Sequence, residues 1–199
     1  MSACAWAGAD AMRAYHDEEW GRPVTDERGL FERVCLEAFQ SGLSWSTILN
    51  KREGFRTAFA EFEPAAVAAF GGDDVERLMA DAAIVRNRAK IDAAIANARA
   101  VVALRETEQP FAALVWSFAP APGRAPKPGE IPAVTAESTA LAKALKRAGF
   151  RFVGPTTAYA AMQACGLVND HVAGCPSRAR AEAEQAAARA ELAAAQSRR

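Results

Sequence analysis

Apolar residues recur at spacings of three and four along almost the whole chain, with Ala, Leu, Glu and Arg filling the intervals, and few segments alternate with the period of two that a half-buried strand requires. That pattern restricts the chain to an all-α fold. Thr25-Asp26 can cap a helix in which Leu30, Phe31, Val34, Cys35 and Ala38 form one apolar stripe, and Ser41-Gly42 ends it. Further helices are predicted near 45–60, 64–70, 73–81, 88–105, 110–117, 137–148 and 155–165, joined by short turns rich in Gly, Pro or Asp. With 199 residues, 51% of them hydrophobic, the chain can bury one full core, and residues 1–177 read as a single helical unit with room for two lobes.

Two stretches stand apart. APAPGRAPKPGEIP, from 119 to 132, holds too many prolines and glycines for a helix and reads as an exposed loop without a catalytic role. The segment from 178 to 199 is Ala-rich and helix-prone but has almost no large apolar side chain to dock it, so it is expected to be solvated or frayed. Lys+Arg and Asp+Glu both number 24, so a nucleic-acid contact would need a local basic patch rather than a general field. No apolar run approaches a membrane span, and the N-terminal stretch lacks the regions of a signal peptide, so a cytoplasmic location is expected. In that reducing setting the four cysteines read as thiols or metal ligands rather than disulfides.

His16 and His171 are the two histidines of the chain, with Cys4 before the first and Cys175 after the second. His171 and Cys175 are four apart and share one face of a helical turn, as two ligands of a tetrahedral zinc should. Cys4 and His16 would complete a closed Cys2His2 set, making the metal structural and pinning the N-terminal segment to the C-terminal one. On spacing alone a core histidine beside a buried thiol accounts for the pair equally well. Cys35 and Cys165 have no histidine neighbour and read as core residues.

Glu37 lies roughly 20° around its helix from Leu30, at the margin of the buried stripe. It is either a snorkelling surface carboxylate or one that points into a pocket. Trp6, Tyr15, Trp20 and Trp45 crowd the first quarter of the chain, and aromatic walls around one carboxylate suit a flat, electron-poor ring. From 74 to 99, two amphipathic helices flank a short turn at Ile84 to Arg88, where Arg86, Arg88 and Lys90 gather. A helix-hairpin-helix uses such a geometry to hold DNA phosphates, although many helical hairpins carry surface arginines.

Taken together, these residues resemble the bacterial DNA-3-methyladenine glycosylase I family of the helix-hairpin-helix glycosylase superfamily. The resemblance rests on Cys4-Ala-Trp6, YHDEEWG at 15–21, CLEAFQSGLSW at 35–45, IVRNRAKI at 84–91 and GFRFVGPTTAYAAMQACGLVNDH at 149–171. It implies that Cys4, His16, His171 and Cys175 hold a structural Zn2+, that Glu37 and Tyr15 contact an extruded base, and that Trp45 stacks on it. It places Trp6 and Trp20 at the pocket wall, and Gln40, Gly42 and Leu43 in the loop that fills the gap left in the DNA. The implied partner is alkylated double-stranded DNA, and the implied reaction is hydrolysis of the 3-methyladenine glycosidic bond, leaving an abasic site. No lysine is placed for a Schiff base, so a monofunctional enzyme is expected, and nothing calls for more than a monomer.

Three positions depart from the family pattern. Met12 stands where a tyrosine often lines the pocket, Ala38 follows the pocket glutamate in place of glycine, and Ala83 replaces a glycine entering the hairpin. The last puts the turn conformation in question if φ there must be positive. Two other classes of function compete: a DNA-damage binding module without turnover, and a zinc hydrolase. Against the second, the nucleobase deaminase pattern H-x-E with P-C-x-x-C is absent.

Overall fold

The computed structural model describes residues 4–8 and 10–196, and among these the ordered elements are helices alone. They are α1 (Asp10–Glu18), α2 (Glu27–Gln40), α3 (Trp45–Ala58), α4 (Pro64–Ala68), α5 (Gly72–Ala80), α6 (Arg88–Leu104), α7 (Phe111–Trp116), α8 (Ala136–Arg147), α9 (Pro155–Ala164) and α10 (Ser177–Gln196), with short 3₁₀ turns at Ala5–Ala7 and Ala60–Phe62. No helix of the described residues is long and apolar enough to cross a membrane.

Local chemistry sets the helix ends. The Asp26 carboxylate accepts the Gly29 N–H and starts α2, Ser44 does the same for Thr47 in α3, and Asn87 for Lys90 in α6. Thr135 and Ser138 cap each other's amides at the start of α8, and Pro155 opens α9 at a position that needs no N–H. Gly42, at φ +84°, turns the chain out of α2.

The core forms where α2, α3, α6, α8 and α9 meet. Phe31, Phe39, Phe55, Phe59 and Phe62 are fully buried and stack as a chain of rings, Phe39 on Phe55 at 4.7 Å and Phe59 on Phe62 at 5.6 Å. Ile91, Ala94, Ile95, Ala98 and Val101 give α6 one long buried face, against which α4 packs closely. Cys35 and Cys165 lie in this core, where burial holds both thiols protonated, Cys165 up to about 12.

Three features differ from the sequence reading. Helix α1 lacks a long apolar stripe and is not among the predicted elements, yet it carries Tyr15 and His16 inward. The C-terminal segment is not frayed up to Gln196: α10 docks through small and polar groups, with Ala181, Ala188 and Gln185 buried. Ala83 is not among the residues of positive φ, and its N–H is held by the Asp81 carboxylate at 2.8 Å. The hairpin turn therefore needs no glycine there; it is Gly54 of α3 that makes room, since a Cβ on it would lie 2.7 Å from the Ala83 carbonyl oxygen.

Candidate active site

Helix α2 points Glu37 inward one turn before its end, and α1 and α3 bring aromatic rings to the same place. The result is a cleft of about 240 Å³ lined by Trp6, Tyr15, Trp20, Glu37, Gln40 and Trp45, with Ile131, Ala160 and Gln163 completing it. Tyr15 and Trp45 lie 5.1 Å apart at 43°, and Trp6 meets Trp20 edge-on at 4.9 Å. The space falls below the roughly 300 Å³ at which drug-sized pockets begin and suits one flat ring system.

Glu37 is only 6% exposed, and among the described residues burial and the Arg33 charge, with no hydrogen bond, act on its carboxyl. Burial pushes its pKa up to about 8, against the opposing pull of Arg33 one helical turn earlier. Arg33 is itself held by Glu19 at 3.0 Å, and Glu19 by both terminal nitrogens of Arg52 at 2.7 and 2.8 Å. Burial, with Glu37 next, also keeps the Tyr15 phenol protonated well above its usual range. A larger cleft of about 330 Å³ lies between residues 120–124 and α10. Some of its polar groups pair, Arg178 on the carbonyls of Asn169, His171 and Gly123, and Tyr159 on Asp170, whereas Asn169 Oδ1 and Arg189 Nε are buried without a partner. Tyr159 is its one aromatic lining residue among the described residues, against Trp6, Tyr15, Trp20 and Trp45 in the smaller cleft.

Behind the aromatic wall sits a second constellation. Cys4, His16, His171 and Cys175 are all buried, and their donor atoms lie within 4.8 Å of one another, a set that could hold one metal ion. Cys175 Sγ is 3.4 Å from His171 Nδ1 and 3.6 Å from His16 Nε2, the two histidine nitrogens are 3.1 Å apart, and Cys4 Sγ is 3.9 Å from His171 Nδ1. The outward nitrogens have acceptors, His16 Nδ1 on Asp17 at 2.6 Å and His171 Nε2 on the Trp20 carbonyl at 3.1 Å. Burial, followed by His16, lowers the His171 pKa to about 4, so the ring is neutral, as a ligand must be.

The residues expected at DNA divide. Gln40 lines the cleft, Gly42 is exposed, and Leu43 projects outward, 41% exposed, from a turn closed by its own N–H on the Gln40 carbonyl at 2.7 Å. Arg86 and Arg88 are exposed, Arg88 in a bidentate pair with Glu76. Lys90 corrects the sequence reading: it is buried and donates to the Phe39 and Ser41 carbonyls rather than facing solvent, because its long stem reaches across to α2. Met12 is half-buried on α1 and does not line the cleft.

Comparison with known proteins agrees with this geometry. The methyladenine glycosylase family profile matches residues 6–179. The chain belongs to that family. It is 52% identical over 179 residues to DNA-3-methyladenine glycosylase 1 of Escherichia coli (strain K12), covering 88% of this chain and 96% of the relative. A crystal structure of 3-methyladenine DNA glycosylase I superposes with a TM-score of 0.84 at 51% identity, covering 87% of this chain and 97% of that one. A tyrosine-to-phenylalanine variant of 3-methyladenine DNA glycosylase I in complex with 3-methyladenine superposes with a TM-score of 0.85 at 35% identity, covering 89% and 98%.

Within this member of the family, three cleft residues escape sequence reasoning. Ile131 belongs to the stretch read as an exposed loop, and its apolar side chain at the end of that stretch was the one available signal. Ala160 and Gln163 lie on α9, whose Pro155 start predicts the helix but not which face meets the cleft. The α8–α9 connection, within the 149–171 stretch, has a backbone geometry that its sequence does not disclose. There Phe152 takes φ +56° and is 48% exposed, and Gly154 leaves the first amides of α9 without a side-chain cap.

Proposed function

We propose that this chain is a monofunctional DNA glycosylase that removes 3-methyladenine from alkylated double-stranded DNA and leaves an abasic site. The observation that carries the reading is one buried carboxyl, unpaired by the protein, at the end of an aromatic cleft with room for a single base. Methylation at N3 makes the purine cationic in DNA, so the base is already a good leaving group. An extruded base enters the cleft against the Tyr15 and Trp45 rings, which already lie 5.1 Å apart and so form one wall for it, and Glu37 accepts from its amino edge and complements its charge. The C1′–N9 bond breaks with its electron pair passing to the base, which departs neutral. Water bonds to C1′ and gives its extra proton to solvent. Among the described residues no lysine lines the cleft, which supports a reaction without a Schiff base on the sugar.

The turn at Gln40, Gly42 and Leu43 supports the role of filling the vacated space, with Leu43 as the apolar tip. Backbone contact is supported at two places: the hairpin at 84–88 through Arg86 and Arg88, and the uncapped start of α9.

The four-residue cluster fits zinc. A tetrahedron with sulfur at about 2.3 Å and nitrogen at about 2.05 Å has N···N edges of about 3.4 Å and S···N edges of about 3.5 Å. The contacts between His171 and each of Cys4, His16 and Cys175, and between His16 and Cys175, run from 3.1 to 3.9 Å around those values, and all the donor atoms lie within 4.8 Å of one another. With two thiolates and two imidazoles the coordination sphere is closed, so the ion would serve the fold, holding the segment of Cys4 against that of Cys175.

Chromatography of free bases released from methylated duplex DNA tests the reading. Wild-type protein should release 3-methyladenine, and Glu37→Gln should release far less while remaining folded. A folded wild type that binds methylated duplex and releases nothing would be a damage-binding module instead.

A further inference from the structure

Lys90 lies in the first turn of α6, where the helix dipole disfavours a cation, and its side chain is only 8% exposed. Its ammonium serves a different helix. Nζ donates to the Phe39 carbonyl at 2.9 Å and to the Ser41 carbonyl at 2.6 Å. The first is one of the last carbonyls of α2, which the helix's own ladder leaves unpaired, and the second belongs to its C-cap, at the end where the dipole favours a cation. They bracket Gln40, which lines the aromatic cleft, and Ser41 leads directly into Gly42 and the exposed Leu43. Burying an ammonium carries a desolvation penalty, which two carbonyl contacts at a helix C-terminus offset.

We propose that Lys90 is a positioning residue for base extrusion. It ties the turn that runs from Gln40 to Leu43 onto α6, so that the turn is already rigid when it enters the space the base vacates. It makes no phosphate contact. The proposal rests on the glycosylase reading above and adds to it a residue outside the cleft.

The test is a double-mutant cycle on single-turnover release of 3-methyladenine from methylated duplex, using wild type, Lys90→Met, Leu43→Ala and the double variant. Lys90→Met should slow release about tenfold, and in the Leu43→Ala background the same change should cost less than about threefold, because the turn has lost the tip that Lys90 positions. Binding of free 3-methyladenine, read by tryptophan fluorescence, should change less than about twofold in Lys90→Met, since no cleft contact is removed. Independent, multiplying losses across the cycle would overturn the proposal. So would a slope of log affinity against log salt shallower by about one in Lys90→Met, which would mark a direct phosphate contact. If Lys90→Met does not fold, Lys90→Gln, which keeps a donor and drops the charge, goes through the same cycle with the same criteria. A wild type that releases no base overturns the glycosylase reading and this proposal with it, by a signal distinct from either of the others.

Discussion

The imidazole of His171 meets Trp20 twice, at its indole and at its backbone. The two rings stand edge-on, 4.8 Å between centroids at 85°, and His171 Nε2 hydrogen-bonds the Trp20 carbonyl at 3.1 Å. A carbonyl only accepts, so the proton sits on Nε2 and Nδ1 is left to face Cys175 and His16. Trp6 rests in turn on His16 and on Trp20, at 5.3 and 4.9 Å. The four-residue centre and the cleft wall are thus one structure, although the centre contributes nothing to the cleft lining.

On the zinc reading, removing the ion should therefore loosen the fold first and the cleft second. Cys175→Ser, or prolonged chelation, is expected to lower Tm by roughly 10 °C, since a structural metal contributes several kcal/mol and each kcal/mol moves Tm by about 2–4 °C at this size. Tryptophan fluorescence should shift as Trp6 and Trp20 lose their support, and affinity for free 3-methyladenine should fall with it. Calorimetry with and without chelator makes the check. An unchanged melt would mean that the four side chains pack without needing an ion.

Glu37 makes stability and activity depend on pH in opposite senses. In the folded protein it keeps its proton up to about pH 8, whereas the unfolded carboxyl releases it near 4.5. Between those values the folded state binds more protons, so this contribution is full below 4.5 and is lost as pH rises to 8, by at most about 1.4 kcal/mol per unit. Glu37→Gln, neutral throughout, should flatten that slope in urea melts taken from pH 5 to 9. Activity runs the other way, because the ionised carboxylate complements the cationic base: kcat/KM should rise towards a plateau above pH 8. A bound cation favours the charged carboxylate, so the limb of kcat should fall at lower pH than that of kcat/KM.

What the sequence reveals and conceals follows from which signals are local. The start of α2 is legible because Asp26 and the stripe from Leu30 to Ala38 lie within a few residues of one another. The His171–Cys175 pair is legible for the same reason, but its closure by His16 spans 155 residues, which no spacing rule reaches. Lys90 reads as a surface cation because its charge is visible in the sequence and the reach of its stem towards α2 is not. Helix α10 reads as loose because sequence patterns find docking through large apolar residues, whereas this helix docks through Ala181, Gln185 and Ala188. Ile131 hides in a Pro- and Gly-rich stretch whose composition describes most of the segment and misses the one residue that returns to the cleft.

Deleting residues 177–199 should consequently destabilise the protein rather than trim a tail. Glu184 receives two hydrogen bonds from Arg22, at 2.7 and 3.0 Å, and Gln185 donates to the carbonyls of Gly21 and Val168 at 2.7 and 3.2 Å. Arg189 adds a donation to the Leu167 carbonyl at 2.8 Å. Those acceptors flank Trp20 and the loop that leads to His171, so losing α10 exposes the edge of the four-residue centre. Hydrogen exchange gives the direct measurement. Amides from 181 to 188 should be protected well beyond the seconds expected of a frayed helix, and the truncated protein should show faster exchange around 20–22 and 167–171.

Gly166→Ala should be among the most damaging single changes outside the cleft. Gly166 sits at φ +72°, and a Cβ there would lie 2.6 Å from the Arg22 carbonyl carbon and 2.7 Å from Pro23 N, both backbone atoms that cannot swing aside. The two strands of chain are tied on either side of the contact, Gly21 N–H to the Gln163 carbonyl at 3.1 Å and Val24 N–H to the Cys165 carbonyl at 3.0 Å. Left-handed backbone strain and overpacking together should cost about 3 kcal/mol, or roughly 6–12 °C in Tm. Relief of the clash requires the chain at 22–23 to move away from the end of α9, and that motion carries Trp20 away from Gln163, two residues that line the same cleft. Affinity for 3-methyladenine, measured well below the melting point, should therefore fall as well. A variant that melts early but binds the base normally would show that the clash relaxes towards α10 instead of through the cleft wall.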